Sequence, residues 1–184
     1  LNWGGVYWVS QDGHIMAYNP DNNLISMIRD NSNGGSTGGI AVLNGIIYYS
    51  KPYEHKISAL YWNGDGFDDV VIVGHGGSES YDESQDGVRR SFDDPIMRYP
   101  SYLEADPVNN RIYANTYSSW WFDEDNNWFK KGLIVLDIDS QQQWSYRSLL
   151  PENTYIGQIS FDPSSQNLYV TSQTDLHIIG FDDS

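Results

Sequence analysis

The chain has 184 residues, in which Lys and Arg total 10, Asp and Glu total 25, and the formal net charge is −15. That length fits one domain, and a content of 39% hydrophobic and 15% aromatic residues is enough for a core and too rich for a disordered segment. Nucleic acids and anionic membrane surfaces require a basic footprint, so both are excluded as partners, and the apolar runs are too short to insert into a bilayer. There is no cysteine, which removes disulfides, zinc–thiolate sites and cysteine nucleophiles together. No signal-like segment precedes the first strand-like run, and a mature or excised segment is the expectation.

In chain order, alternating runs predict a series of short strands. Val6-Tyr7-Trp8-Val9-Ser10 and His14-Ile15-Met16-Ala17-Tyr18 form a first hairpin, followed by Leu24-Ile25-Ser26-Met27-Ile28. Gly39-Ile40-Ala41-Val42-Leu43 leads through Asn44-Gly45 into Ile47-Tyr48-Tyr49-Ser50, then Lys56 to Tyr61, then Val70-Val71-Ile72-Val73. Ser101 to Ala105 leads through Asp106-Pro107-Val108-Asn109-Asn110 into Ile112-Tyr113-Ala114-Asn115, then Leu133 to Asp137, then Gln143-Trp144-Ser145-Tyr146. Gln158 to Phe161 leads through Asp162-Pro163-Ser164-Ser165-Gln166-Asn167 into Leu168-Tyr169-Val170-Thr171-Ser172 and Leu176 to Phe181. Each unit holds an apolar–Tyr pair at the same place, and the two Asp-Pro turns match in position and chemistry.

The tally is three, four, four and three strands, in blade-like units at about residues 1–33, 34–77, 98–151 and 152–184. No long segment has a capped 3.6-residue period, so helix should be nearly absent. The expected fold is all-β: a β-propeller of about four blades of ~45 residues, forming part of a larger propeller or completed by another segment. A β-sandwich also has many short strands, but the in-phase repetition favours the propeller. A compact variant with shorter outer blades is the alternative to a partial one.

Val6-Tyr7-Trp8-Val9 followed by Ile15 resembles the YWTD-type blade of lipoprotein-receptor propellers. Asp106-Pro107-Val108-Asn109-Asn110-Arg111-Ile112-Tyr113 with Ile134-Val135-Leu136-Asp137 resembles the YVTN-type blade of bacterial surface proteins. These resemblances imply a propeller fold and leave activity open, because propellers host many functions.

The stretch Tyr61-Trp62-Asn63-Gly64-Asp65-Gly66-Phe67-Asp68-Asp69 resembles the calcium loop of integrin-type FG-GAP blades. That resemblance implies Ca²⁺ as a ligand, held by Asn63, Asp65 and Asp69 with Asp68 as a further donor, since calcium takes several hard oxygens. Tyr61 stands where that family has its first acidic ligand, and Asn-Gly-Asp-Gly between two strands is also ordinary turn chemistry. Two insertions interrupt the repeat, at residues 75–100 and 118–131. The second carries Trp120, Trp121 and Trp128 beside Asp, Glu and Asn, a composition suited to stacking on a sugar or anchoring a protein. Capping the rim of a blade is the other role for those rings.

No catalytic residues are nominated. His14, His55, His75 and His177 have no common spacing, no nucleophile elbow occurs, and the Gly34–Gly39 run lacks a phosphate-binding lysine. The sequence reads as a non-enzymatic binding or assembly module at the cell surface or outside the cell. Its expected partner is a protein, a glycan or the remaining blades of the same propeller. A carbohydrate-active propeller enzyme with carboxylates around a central channel is the alternative.

Overall fold

A computed structural model describes residues 5–31, 37–74, 86–96, 99–116, 132–146, 156–172 and 174–181. Among these residues the only helical element is a 3-10 turn, Pro52–Glu54. Among the described residues no helix is long and apolar enough to cross a membrane.

Among the described residues, fifteen strands make four antiparallel sheets taken consecutively along the chain. Sheet I is β1 (Val6–Val9), β2 (Ile15–Asn19) and β3 (Leu24–Arg29). Sheet II is β4 (Ile40–Leu43), β5 (Ile46–Lys51), β6 (Lys56–Trp62) and β7 (Phe67–Val73). Sheet III holds β9 (Pro100–Asp106), β10 (Arg111–Thr116), β11 (Gly132–Asp137) and β12 (Gln142–Tyr146), with β8 (Arg90–Ser91) added outside β12. Sheet IV is β13 (Ile159–Asp162), β14 (Asn167–Thr171) and β15 (Leu176–Gly180).

The expected tally of three, four, four and three therefore stands, with one addition. Arg90–Ser91 has no apolar alternation to announce a strand; it is held by register, Ser91 opposite Gln142 and Arg90 opposite Gln143. The fully buried Gln143 side chain donates to the Ser91 carbonyl at 3.1 Å, securing the segment.

Turn chemistry sets these registers. Asn44 and Gly45 both have positive φ, as a two-residue hairpin between Leu43 and Ile46 requires. A five-residue turn occurs four times, opening on Asn19, Asp106, Asp137 and Asp162. In each, the opening side-chain oxygen accepts a backbone N–H two or three residues on: Asp21, Val108, Ser140 and Ser164. The fifth residue is left-handed every time: Asn23, Asn110, Gln141 and Gln166. In the last turn this conformation falls on Gln166, and Asn167 begins the next strand.

Strand pleating then sorts side chains between the two faces of each sheet, and sheets II and III pack on both. On sheet II, Ile47, Tyr49 and Leu60 join Ile15 of sheet I. Tyr48, Ile57 and Ala59, on the other face, join Leu103, Ile112, Ala114, Ile134 and Leu136 of sheet III. Sheet III's second face places Tyr113, Leu133, Val135 and Trp144 against Ile159, Phe161, Leu168, Val170 and Ile179 of sheet IV. The central strands are thus buried on both faces, which is why they read as nearly continuous apolar runs. The first strand of each later sheet approaches its predecessor: β4 meets β9, and β9 meets β13.

Candidate interaction surfaces

The repeat provides a register in which every position of one sheet has a counterpart in the others. Counting β1 to β3 as the second to fourth strands of their unit, Tyr7, Tyr48, Tyr113 and Tyr169 share one place on the second strand, on the face that in sheets I to III packs against the following sheet. Tyr48 and Tyr113 are fully buried there. Burial, with a smaller effect of Tyr61, pushes the Tyr48 hydroxyl pKa up to about 12, so it stays neutral. Burial also raises the pKa of Tyr113, whose hydroxyl donates to the Asp106 carboxylate at 2.9 Å.

Beside each tyrosine, the third strand contributes two apolar positions to the same face. They are Ile15 and Ala17 on sheet I, Ile57 and Ala59 on sheet II, and Leu133 and Val135 on sheet III, all buried to 1% exposure or less. On sheet IV the same two positions are Leu176 and Ile178, which are 59% and 60% exposed. The forward face of sheet IV therefore carries the side chains of an inter-sheet interface with nothing against them among the described residues.

The backward face of sheet I mirrors it. Val6, Trp8, Met16 and Tyr18 occupy the places that Ile47, Tyr49, Ser58 and Leu60 fill on sheet II, where all four are buried against sheet I. Val6 is 63% exposed, and the adjoining β3 adds Ile25 at 63% and Met27 at 52%. Scattered exposed apolar residues are unremarkable, but contiguous ones facing the same way mark an interaction surface.

A second repeated device ties the sheets edge to edge. Ser50, Asn115 and Thr171 share the position two residues after the conserved-in-register tyrosine of their unit. Each accepts an N–H from its own sheet's first-strand segment: Gly39 at 2.8 Å, Tyr102 at 2.6 Å and Gln158 at 2.9 Å. Ser50 also donates to the Ser101 carbonyl of sheet III, and Asn115 to the Gly157 carbonyl entering sheet IV. Gly39 allows this approach, because an added Cβ would lie 2.5 Å from the Ser101 oxygen. Thr171 bonds within its own unit, to the N–H and carbonyl of Gln158.

The expected calcium residues lie on the β6–β7 hairpin and are divided among different environments. The Asn63 oxygen accepts the N–H groups of Asp65 and Gly66, and its amide nitrogen donates to Asp68. Asp65 sits at the exposed tip. Asp68 and Asp69 are neighbours on a strand, so they point to opposite faces. Asp69 accepts the Tyr49 hydroxyl at 2.6 Å and the Arg29 Nε at 3.1 Å, with Lys51 3.9 Å away. The structure thus brings Asn63 and Asp68 together and turns Asp69 toward a cationic pair between sheets I and II. No cluster of three or more His, Asp or Glu suited to a metal occurs among the described residues. Trp120, Trp121 and Trp128 lie outside the described residues.

Sequence reasoning did not single out the Arg29–Tyr49–Asp69 cluster. Arg29 also stacks 4.6 Å from the Tyr49 ring centre. Pleat alternation alone was enough to separate Asp69 from Asp68, but pairing it with β3 needed the fold.

No known family profile matches the sequence, and no curated protein matches it. Solved structures do resemble it. One chain of the crystal structure of a nidogen/laminin complex aligns over 97% of this chain with a TM-score of 0.66 at 14% identity. The fold is a β-propeller. A structural genomics protein of unknown function from Bacteroides thetaiotaomicron aligns over the same share with a TM-score of 0.54, also at 14% identity. The present chain spans 57% of the first of those chains and 39% of the second. At such identity the likeness establishes the fold, and function must be argued from the surfaces.

Proposed function

We propose that this propeller is a non-enzymatic protein-binding and assembly module acting outside the cell or at its surface. The observation that carries the reading is the open apolar face of sheet IV, where Leu176 and Ile178 are exposed at positions that are buried interfaces on sheets I, II and III, together with Val6 on sheet I, exposed at the place Ile47 fills on sheet II. The likeness to a chain from a nidogen/laminin complex, a protein–protein assembly, supports it. The Trp120-Trp121-Trp128 segment is the second proposed contact, with a protein or a glycan as its ligand.

Two measurements on the purified chain test the reading. Dilute native protein should bind an apolar fluorescent dye, and L176K/I178K together with I25K/M27K should abolish that binding while the far-UV circular dichroism is unchanged. The chain should hydrolyse none of a panel of nitrophenyl glycosides. Hydrolysis lost on substitution of a loop carboxylate would move the assignment to a carbohydrate-active enzyme, and absence of dye binding by the native chain would remove its main support.

A further inference from the structure

We propose that the outer edge of sheet II, strand β7, takes up an extended basic segment of a partner protein as a fifth strand. This rests on the protein-binding reading above and names the chemistry of the partner. Sheet III shows the device in place. Its fourth strand, β12, is lined from Gln141 to Ser145 by residues 87–92. Gly87 donates to the Ser145 carbonyl at 2.9 Å, Arg90 and Ser91 pair with Gln143 and Gln142, and Phe92 donates to the Gln141 carbonyl at 3.0 Å. Beneath this cover Gln143, Trp144 and Ser145 are buried.

Strand β7 holds the same place in sheet II. Ala59 and Val135 correspond, each opposite the tyrosine of its unit, so Val70 matches Trp144, Val71 matches Ser145, and Asp68 and Asp69 match Gln142 and Gln143. No described segment pairs with the outer side of β7, and Val70 and Val71 are 44% and 49% exposed. Sheet II lies between sheets I and III and packs on both, so this edge is not an end of the sheet series. A bare seven-residue edge strand rich in β-branched residues is a template onto which another strand adds.

The residues along the edge select the occupant. Asp65 and Asp68 are exposed at its hairpin end, while Asp69 is engaged by Arg29 and Tyr49. A cation opposite Asp68 gains an ion pair across the strands, and apolar residues opposite Val70 and Val71 cover them. The segment that lines β12 has this composition, Val88-Arg89-Arg90-Ser91-Phe92. Arg89 stacks 4.6 Å from the Trp144 ring centre, and Phe92 packs on the core between sheets II and III. A second copy of this chain would bring a net charge of −15 to an acidic edge, which disfavours it as the occupant.

A fluorescent peptide with the sequence of residues 87–92, titrated against the whole chain and read by anisotropy, tests the proposal. It should bind saturably, and added salt should weaken it. In the register of β12, where the Ser145 carbonyl faces Gly87, the Val71 N–H faces outward, a place where an edge strand tolerates proline. V71P should therefore abolish binding with the far-UV circular dichroism unchanged, and D68K should weaken it about fivefold. The same peptide methylated on the Arg90 and Phe92 nitrogens should not bind, a control that leaves the protein untouched. No binding at millimolar peptide, or equal binding by the methylated peptide or to folded V71P, overturns the proposal. Self-association of the native chain that V71P abolishes would give the edge to a second copy and overturn the partner peptide. If the peptide fails while the apolar dye still binds through Leu176 and Ile178, strand addition falls alone and the protein-binding reading stands. If the dye fails as well, both fall.

Discussion

Asn115→Ala is the sharpest test of the inter-sheet relay. The Asn115 side chain is buried, accepts the Tyr102 N–H at 2.6 Å and donates to the Gly157 carbonyl at 2.8 Å, joining sheet III to sheet IV. Truncation leaves one donor and one acceptor without partners in a place water reaches poorly, at about 1–3 kcal/mol each. The expected cost is about 2–6 kcal/mol, a large part of the ~5–15 kcal/mol by which domains are stable. With a urea m-value of about 2–3 kcal/mol/M, the midpoint should fall by roughly 1 M or more. Ser50→Ala, at the same repeat position between sheets II and III, should behave alike. Thr171→Ala is the internal control. Its hydroxyl is exposed and bonds only to Gln158 of its own unit, so water replaces what is lost and the cost should stay near 0.5–1 kcal/mol. Intrinsic tryptophan fluorescence during urea unfolding reads all three. Equal losses at Thr171 and Asn115 would refute the idea that this position works by joining neighbouring sheets.

Three further outcomes follow from the same contacts. Tyr113→Phe removes the buried bond to Asp106, which keeps its bonds from Val108 and Asn109, and should cost about 1–3 kcal/mol by urea melt. Burial raises the Glu104 pKa above its ordinary 4.5, more than the Phe161 N–H bond lowers it. The folded state then holds the proton more tightly than the unfolded chain. Stability from this group is therefore full below pH 4.5 and is lost as pH rises through the folded pKa. Glu104→Gln should raise the melting temperature at pH 7 and leave it unchanged near pH 4; a gain at both would show that the effect is not ionisation. Because Asp69 is held by Tyr49 and Arg29 and Asn63 by its own turn, a chelator should not shift the melting temperature, and a drop of several degrees would establish calcium in the hairpin.

Much of the architecture was legible because both of its signals are local. Period-2 alternation marks strands such as Val70–Val73, and Asn44-Gly45 or Asp106-Pro107 fixes the turns between them. Two of the four five-residue turns carry the Asp-Pro signature; Asn19-Pro20 and Asp137 repeat its geometry with other residues, since the physical requirement is a side-chain acceptor at the start and a left-handed residue at the fifth place. Strand β8 was not legible, as its two residues are held by Gln143 from a strand some fifty residues away. The candidate surfaces were hidden for a related reason. Leu176 and Ile178 look like core residues in sequence, and only comparison with Leu133 and Val135 in the folded register reveals that they are open.

Hydroxyl-radical footprinting with peptide mass spectrometry, at a concentration where the chain sediments as one copy, tests the register argument most directly. Leu176 and Ile178 should be oxidised readily while Ile57, Leu133 and Val135, at the same two positions within the fold, stay protected. Equal protection of the two groups would contradict the open forward face of sheet IV.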